Sequence, residues 1–211
     1  MVRPMLPDAP AGEPRTIDPT SPLGRAMSGA AVAVAHALSE LACVPVRVQH
    51  TQVEVLPLRE LSSVGGSPGD DVVGLFLTFS GSDSGDIMLV YEVDQARSLV
   101  DQLLTNPLGT TEEFDELALS AIAESGNILG SHFLTAIATL TGAELEISPP
   151  VPLLDTRGAV LSIPAAKIAH ANDTFLAIQS DYDCQDGPGI GATLLVVPHN
   201  GFHSTMLRSL L

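Results

Sequence analysis

Apolar residues recur along this chain in two cycles, and each cycle begins with helical spacing and continues with extended segments. In the first cycle, an Ala-rich stretch over residues 22–42 predicts a helix, and the Val-rich alternation of residues 44–58 predicts a strand. Residues 72–80 and 86–92 predict two further strands joined by a GSDSG turn, and residues 94–104 predict an amphipathic helix. The first cycle is therefore of mixed α and β character.

The second cycle repeats this order of helix and strands. Thr110 and Glu113 are spaced as a capping box, which predicts a long helix from there to about Leu140. Residues 160–170 fit either a short helix or an irregular crossing, and the sequence leaves both open. The other elements predicted for this cycle are an extended stretch over residues 143–154, strands over 173–181 and 190–198 with a Gly-rich loop between them, and a short C-terminal helix.

The two cycles match each other as an internal repeat when the chain is shifted by 99 residues. This duplication predicts one domain of two pseudo-symmetric halves, over about residues 20–108 and 109–211. The expected fold class is α/β, with the strands of both halves in a shared sheet flanked by two long helices. Residues 1–19 contain five prolines, which disfavour helix, so we expect a disordered Pro-rich tail. The matched apolar positions are Ala37, Leu38 and Leu41 with Ala136, Ile137 and Leu140, and Val46 and Val48 with Leu145 and Ile147.

Four residues in and after the second long helix stand at a spacing that suggests a site. They are Ser120, Glu124, Asn127 and, after 22 intervening residues, Pro150. Residues three or four apart share a helix face, so Glu124 and Asn127 should project together from a largely apolar helix. Each of them alone is typical of a solvated or packed helix position. Because all four occur in register, we interpret them as a functional site.

This pattern, Ser-x3-Glu-x2-Asn-x22-Pro, resembles the active-site signature of the CheC-type chemotaxis phosphatases. The phrases AHALSEL and GNILGSHFLTAIATLTG also resemble the first and second long helices of that family, so the resemblance covers residues 20–211. It implies a CheC-like fold of two halves that share a sheet. It also implies an enzyme that removes phosphate from the aspartate of CheY, the chemotaxis response regulator.

The resemblance assigns a role to each motif residue. Asn127 would position the water that attacks the phosphoryl group, and Glu124 would engage the receiver domain of CheY. Ser120 would support the orientation of Glu124, and Pro150 would shape the entrance of a strand. No metal or cofactor would be bound by this chain, because Mg²⁺ is expected on the receiver itself.

The repeat and the resemblance together favour a member with one site. The 99-residue shift takes the Glu, Asn and Pro positions to Arg25, Ser28 and Thr51, none of which matches the signature. Two alternatives remain open at this point. One is a non-catalytic adaptor that responds to phosphorylated CheY and binds the receptor deamidase CheD. The other is a structural component of the flagellar switch, which is disfavoured because the extra switch domain of FliY-type members is absent.

Composition narrows the classes of partner. The net charge of −16, from 25 acidic and 9 basic residues, argues against binding to nucleic acids or anionic membranes. Two cysteines are too few for a disulfide scaffold, and we expect them to be unlinked thiols. The sequence lacks an apolar signal-peptide core and a membrane-spanning apolar run, so we expect a cytoplasmic protein.

The remaining candidate motifs favour structural roles. GPGIG over residues 187–191 lacks the Lys and Ser/Thr of a phosphate-binding loop and is typical of a hairpin. GSDSG over residues 81–85 does not match a nucleophile elbow and predicts a turn. His199 and His203 could share a helix face, but without a third ligand nearby they favour an exposed terminal helix over a metal site.

Overall fold

The computed structural model describes residues 13–166, 174–185 and 188–199, in which eight strands form one sheet. The helices are α1 (Pro22–Ala42), α2 (Val93–Leu103), α3 (Glu116–Thr141) and α4 (Arg157–Ala165), and a 3-10 helix spans Leu58–Ser63. The strands are β1 (Arg15–Thr16), β2 (Val46–Pro57), β3 (Asp71–Gly81), β4 (Gly85–Glu92), β5 (Leu145–Ile147), β6 (Val151–Thr156), β7 (Thr174–Cys184) and β8 (Ile190–Pro198).

The order of strands is symmetric about the centre of the sheet. β4 and β8 pair antiparallel at the centre, and β3 and β7 flank them. β2 lies beyond β7 on one side, and β5 and β6 lie beyond β3 on the other. Each half therefore adds its first long extended segment to a strand of the other half. This exchange builds one sheet from two similar halves, and the predicted α/β fold class is confirmed.

The sheet separates two apolar cores. Helices α1, α2 and α3 pack on one face, and α4 and the 3-10 helix pack on the other. Arg157 at the start of α4 is 1% exposed, pairs with Glu92 and donates to the Val64 carbonyl oxygen at 3.1 Å. A buried cation needs such partners because leaving water is costly. Of the helix and the irregular crossing that the sequence left open over residues 160–170, the structure shows a helix up to Ala165. Residues 167–173 lie outside the described ranges.

The start of α3 differs from the sequence prediction. Asp115 is the N-cap, and its carboxylate accepts a hydrogen bond from the backbone amide three residues later at 2.8 Å. The capping box of Thr110 and Glu113 was wrong, because both residues precede the helix. The Thr110 amide instead donates to the buried carboxylate of Asp101, in the last turn of α2, at 3.1 Å. The local cap Asp115 therefore sets the start of α3, and Asp101 holds the loop that precedes it.

Residues 15–19 form a strap across the outer side of β2. Arg15 pairs with Val55, and the Ile17 amide donates to the Val53 carbonyl oxygen at 2.8 Å. The Ile17 side chain is only 4% exposed. The predicted disordered tail therefore extended too far along the chain, because one apolar side chain and a short ladder order this part. Residues 1–12 lie outside the described ranges.

Several further predictions can be compared with the structure. His199 follows β8 and lies 3.1 Å from the Asp86 carboxylate, so the exposed terminal helix predicted for it was wrong. His203 and the predicted C-terminal helix lie outside the described residues. Cys43 and Cys184 are both free thiols, as predicted. None of the helices in the described ranges is long and apolar enough to cross a membrane.

Candidate active site on the second long helix

Ser120, Glu124 and Asn127 lie on one stripe of α3, as their spacing predicts. Ser120 and Glu124 are exposed, and Asn127 is half-buried. Within the described part of the chain, neither Glu124 nor Asn127 forms a hydrogen bond or an ion pair with another residue. Both side chains therefore remain available to a partner. The opposite side of the helix is anchored in the core by Ala118, Ile122, Ser125, Leu129 and Phe133.

Two glycines allow α3 to lie close to the sheet at the level of this stripe. A Cβ atom on Gly126 would come within 2.2 Å of Leu75 Cδ1, a side chain of β3. A Cβ atom on Gly130 would come within 3.0 Å of Ile147 Cδ1, a side chain of β5. The close approach at Gly126 excludes any larger residue unless the buried Leu75 side chain, the helix or the strand moves. The glycines therefore fix the height of the motif above the sheet.

Pro150 lies in the short link between β5 and β6, which both pair with β3. The two glycine contacts lie on either side of this link. Gly130 approaches Ile147 of β5, and Gly126 approaches Leu75 of β3, which pairs with Pro152. Asn127 lies between the two glycines on the helix, and Pro150 lies between Ile147 and Pro152 along the edge. The fold thus brings Asn127 and Pro150 to the same level of the molecule.

A groove of about 770 Å³ continues the motif stripe toward the C-terminal end of α3. Its lining includes Ser131 and Leu134 from the helix and residues 144–147 from the edge of the sheet. Ser131 lies about one turn after Asn127, on the same stripe. The stripe therefore faces the side of the molecule on which β5 and β6 form the sheet edge.

A buried pair of hydroxyl groups supports the turn that carries the motif. Ser125 Oγ donates to the Ile122 carbonyl oxygen at 2.7 Å and lies 3.4 Å from the Tyr91 hydroxyl. Because the Ser125 hydroxyl already donates its proton to the Ile122 carbonyl oxygen, the Tyr91 hydroxyl is the donor between the two side chains. Burial raises the pKa of Tyr91 to about 12. Sequence reasoning missed this pair, although a serine on the apolar face of the helix was a usable signal.

The site lies in an acidic part of the chain. Residues 112–156 contain no Lys or Arg, and Arg157, which follows, is buried and paired. The carboxylate of Glu124 therefore has no Lys or Arg nearby in sequence and is free to meet a cationic group of a partner. The acidic residues in this stretch are Glu112, Glu113, Asp115, Glu116, Glu124, Glu144, Glu146 and Asp155.

The first half brings the counterparts of the motif together without its chemistry. Ser28 and Thr51, the counterparts of the Asn and Pro positions, line a cleft of about 240 Å³ together with Ile17 of the strap. Arg25, the counterpart of the Glu position, is exposed, and its guanidinium donates to the Thr20 carbonyl oxygen. The Glu and Asn of the signature are both missing at these positions, although Gln52 in the lining of the cleft carries a carboxamide. The geometry of the repeat is therefore retained where the residues of the signature are lost.

A family model described as the CheC-like family matches residues 117–152 of the chain. This segment contains all four motif residues and both glycines of α3. Over this segment the chain is similar to the CheC-like family.

Similar proteins extend the similarity beyond the motif. CheY-P phosphatase CheC of Bacillus subtilis is 28% identical over 148 residues, which are 69% of this chain and 71% of that protein. Among solved structures, FliY of Thermotoga maritima gives a TM-score of 0.68 at 17% identity, covering 86% of this chain and 89% of that one. A CheX–CheY–BeF₃–Mg²⁺ complex from Borrelia burgdorferi gives 0.50 at 16%, covering 83% and 97%. At these identities the structures show a shared fold.

Proposed function

We propose that this chain is a phosphatase that accelerates hydrolysis of the aspartyl phosphate on a CheY-type receiver domain. The observation that carries the proposal is the pairing of Glu124 and Asn127 on an exposed stripe of α3, inside the segment that the CheC-like family model matches. The Bacillus relative is named a CheY-P phosphatase, and the Borrelia structure is a complex of CheX with CheY. Both names support a receiver as the substrate.

Asn127 can supply what an aspartyl phosphate lacks, which is a positioned nucleophile. A carboxamide carries both a donor and an acceptor, so it can hold a water in line with the phosphorus atom. The water forms a new P–O bond on one side while the bond to the aspartyl oxygen breaks on the other. Inorganic phosphate and a free carboxylate result. Little proton abstraction is needed in such a loose transition state, and positioning therefore supplies most of the acceleration.

Glu124 can fix the register of the bound receiver. Its carboxylate is exposed in a stretch without Lys or Arg, so a cationic group of the partner would be its natural ligand. Ser120 lies one turn earlier on the same stripe, and it would orient Glu124 in the complex, because the two side chains form no hydrogen bond within the described residues. Pro150 shapes the sheet edge at the level of Asn127. The Mg²⁺ expected on the receiver would neutralise the phosphoryl oxygens, and no residue of this chain needs to bind it.

The test is the decay of phosphorylated CheY from the same organism, followed with catalytic amounts of this protein. Asn127→Ala should lower the acceleration on the order of 100-fold or more, because water positioning is lost. Its circular dichroism and melting temperature should match the wild type, because the side chain is half-buried and unpaired. Ser131→Ala is the matched control, since it changes the same stripe one turn away. Full activity in Asn127→Ala would exclude the proposed mechanism.

The same assay separates an enzyme from an adaptor. A phosphatase turns over many receivers per molecule, so the effect persists when the chain is far below the receiver concentration. An adaptor that only binds the phosphorylated receiver would change decay in proportion to its amount. A strictly stoichiometric effect would therefore contradict the phosphatase and support the binding role.

A further inference from the structure

The two outer edges of the sheet correspond to each other, but only one is covered within the described residues. The strap covers β2, where Val55 is 8% exposed and the Ile17 side chain is buried against the same edge. The 99-residue shift takes Val55 to Leu154 of β6, which is 52% exposed. No strand in residues 13–166, 174–185 or 188–199 pairs with the outer side of β6. The apolar position that is buried in the first half, at Val55, is therefore exposed in the second half, at Leu154.

The backbone of β6 can accept a strand in the way that β2 does. The backbone amide of Arg157, which directly follows β6, points toward β3 and donates to the Asp70 carbonyl oxygen at 2.8 Å. Backbone groups alternate between the two sides of a strand, so the groups of every second residue of β6 point away from β3. Pro152 and Leu154 therefore direct their backbone groups outward. At the covered edge, the bond from the Ile17 amide is accepted by the Val53 carbonyl oxygen. Pro152, the counterpart of Val53, keeps a carbonyl oxygen although it lacks an amide proton.

The open edge lies beside the motif. Leu154 pairs with Val73, whose side chain belongs to the core beneath the helices, so Leu154 projects on the same face as α3. Leu117, in the first turn of α3 and near the motif stripe, is another large apolar residue left exposed, at 61%. Glu124, exposed on the motif stripe, adds negative charge to this face. The surface is therefore apolar in its centre and acidic at its margin.

We infer that the outer edge of β6, centred on Leu154, is a docking edge for an extended segment of the bound receiver. The segment takes the place that the strap takes in the first half, with an aliphatic side chain over Leu154 and a backbone amide bonded to the Pro152 carbonyl oxygen. A Lys or Arg of the segment meets Glu124, which complements the lack of Lys and Arg in residues 112–156. This inference rests on the proposed function, because the receiver is the partner that brings the phosphoryl group to Asn127.

The first experiment measures binding separately from turnover. The receiver is held in its phosphorylated form with Mg²⁺ and BeF₃⁻, and its Kd for this chain is measured by fluorescence anisotropy. Leu154→Glu should raise Kd at least tenfold, because it removes apolar contact and adds a charge that the segment must bury. It should raise KM for dephosphorylation and leave kcat unchanged. Leu108→Glu is the matched control, since Leu108 is 48% exposed in a different loop and should leave Kd within twofold.

A second pair of variants tests the strand pairing itself. Leu154→Ala and Leu154→Pro both shorten the side chain, but only the proline removes the outward amide. A further loss of binding in Leu154→Pro, with unchanged circular dichroism, supports an added strand. Equal binding by the two variants would overturn the backbone pairing.

The outcomes distinguish this inference from the proposed function. Unchanged Kd in Leu154→Glu would overturn the docking edge, even if the wild type accelerates dephosphorylation. Binding that depends on Leu154 without any acceleration by the wild type would support the edge and contradict the phosphatase. No binding of the BeF₃⁻-loaded receiver by the wild type would overturn both.

Discussion

Gly126 of α3 lies directly over Leu75 of β3, so close that a Cβ atom on the glycine would be 2.2 Å from Leu75 Cδ1. Leu75 is fully buried, so its side chain has no free space into which it can turn. The contact lies between Glu124 and Asn127 along the helix. The height of both motif side chains above the sheet therefore depends on the absence of a side chain at residue 126.

Gly126→Ala should destabilise the protein and weaken the proposed activity. Overpacking a buried contact costs about 1–3 kcal/mol, whereas the better helix propensity of Ala returns at most about 1 kcal/mol. We expect a lower free energy of unfolding in urea and a lower kcat, because the helix must move away from β3. Gly29→Ala in α1 is the control, since nothing lies within 4 Å of its new Cβ. It should stabilise by about 0.5–1 kcal/mol, and equal effects at both glycines would contradict the packing argument.

The sequence predicted the elements and the motif because both depend on local spacing. Helical periodicity gave α1 and α3, and the three helical motif residues share a face for the same reason. The strap was missed because the five prolines of residues 1–19 suggested disorder, while its order depends on burying Ile17 against a strand over thirty residues away. The N-cap of α3 was missed although Asp115 is a local cap, because the expected capping box placed the start at Thr110, which the structure shows bonded to Asp101 in the preceding loop. Contacts between distant parts of the chain leave no periodic signal.

Asp101 should be a main determinant of the loop that leads into α3. Its carboxylate is fully buried and accepts hydrogen bonds from the amides of Gly109, Thr110 and Thr111 and from the Thr111 hydroxyl, at 2.6–3.1 Å. Asp101→Asn replaces one acceptor oxygen with an NH₂ group that faces other donors. We expect a loss of about 2–3 kcal/mol in the free energy of unfolding, measured in urea.

Asp94→Asn is the control for Asp101, because it removes a carboxylate from the same helix at an exposed position. Asp94 makes only a surface ion pair with Arg97 at 3.3 Å. Its loss should change the free energy of unfolding by about 0.5 kcal/mol. A similar small change for Asp101→Asn would show that the loop is held by other contacts.

Restoring the missing residues in the first half should not create a second active site. The variant Arg25→Glu with Ser28→Asn, built on Asn127→Ala, would carry the signature pair only on α1. We expect no acceleration of receiver dephosphorylation above that of Asn127→Ala alone. The reason is steric, because the cleft at Ser28 measures about 240 Å³ and Ile17 of the strap forms part of its wall. Recovered turnover in this variant would show that the strap does not block the first half.

Tyr91 should make the stability of the fold fall at high pH. Burial raises its pKa from 10 to about 12, so the folded state holds a proton that the unfolded chain releases. The stabilising effect is fully present below pH 10 and is lost as pH rises toward 12, by about 2–3 kcal/mol. Tyr182 acts in the same direction, because burial also raises its pKa. Tyr91→Phe therefore removes only one of the two contributions.

At pH 8, Tyr91→Phe should cost about 0.5–1 kcal/mol, since it loses the hydrogen bond to Ser125. Between pH 10 and 12 the wild type should lose stability faster than the variant, because only the wild type must ionise a buried phenol at residue 91. The two curves of unfolding free energy against pH should therefore converge and then cross. Urea unfolding at pH 8, 10 and 11 measures this directly. Parallel curves over that range would show that the Tyr91 hydroxyl is not desolvated in the folded protein, and would remove the buried support that we assign to the motif turn of α3.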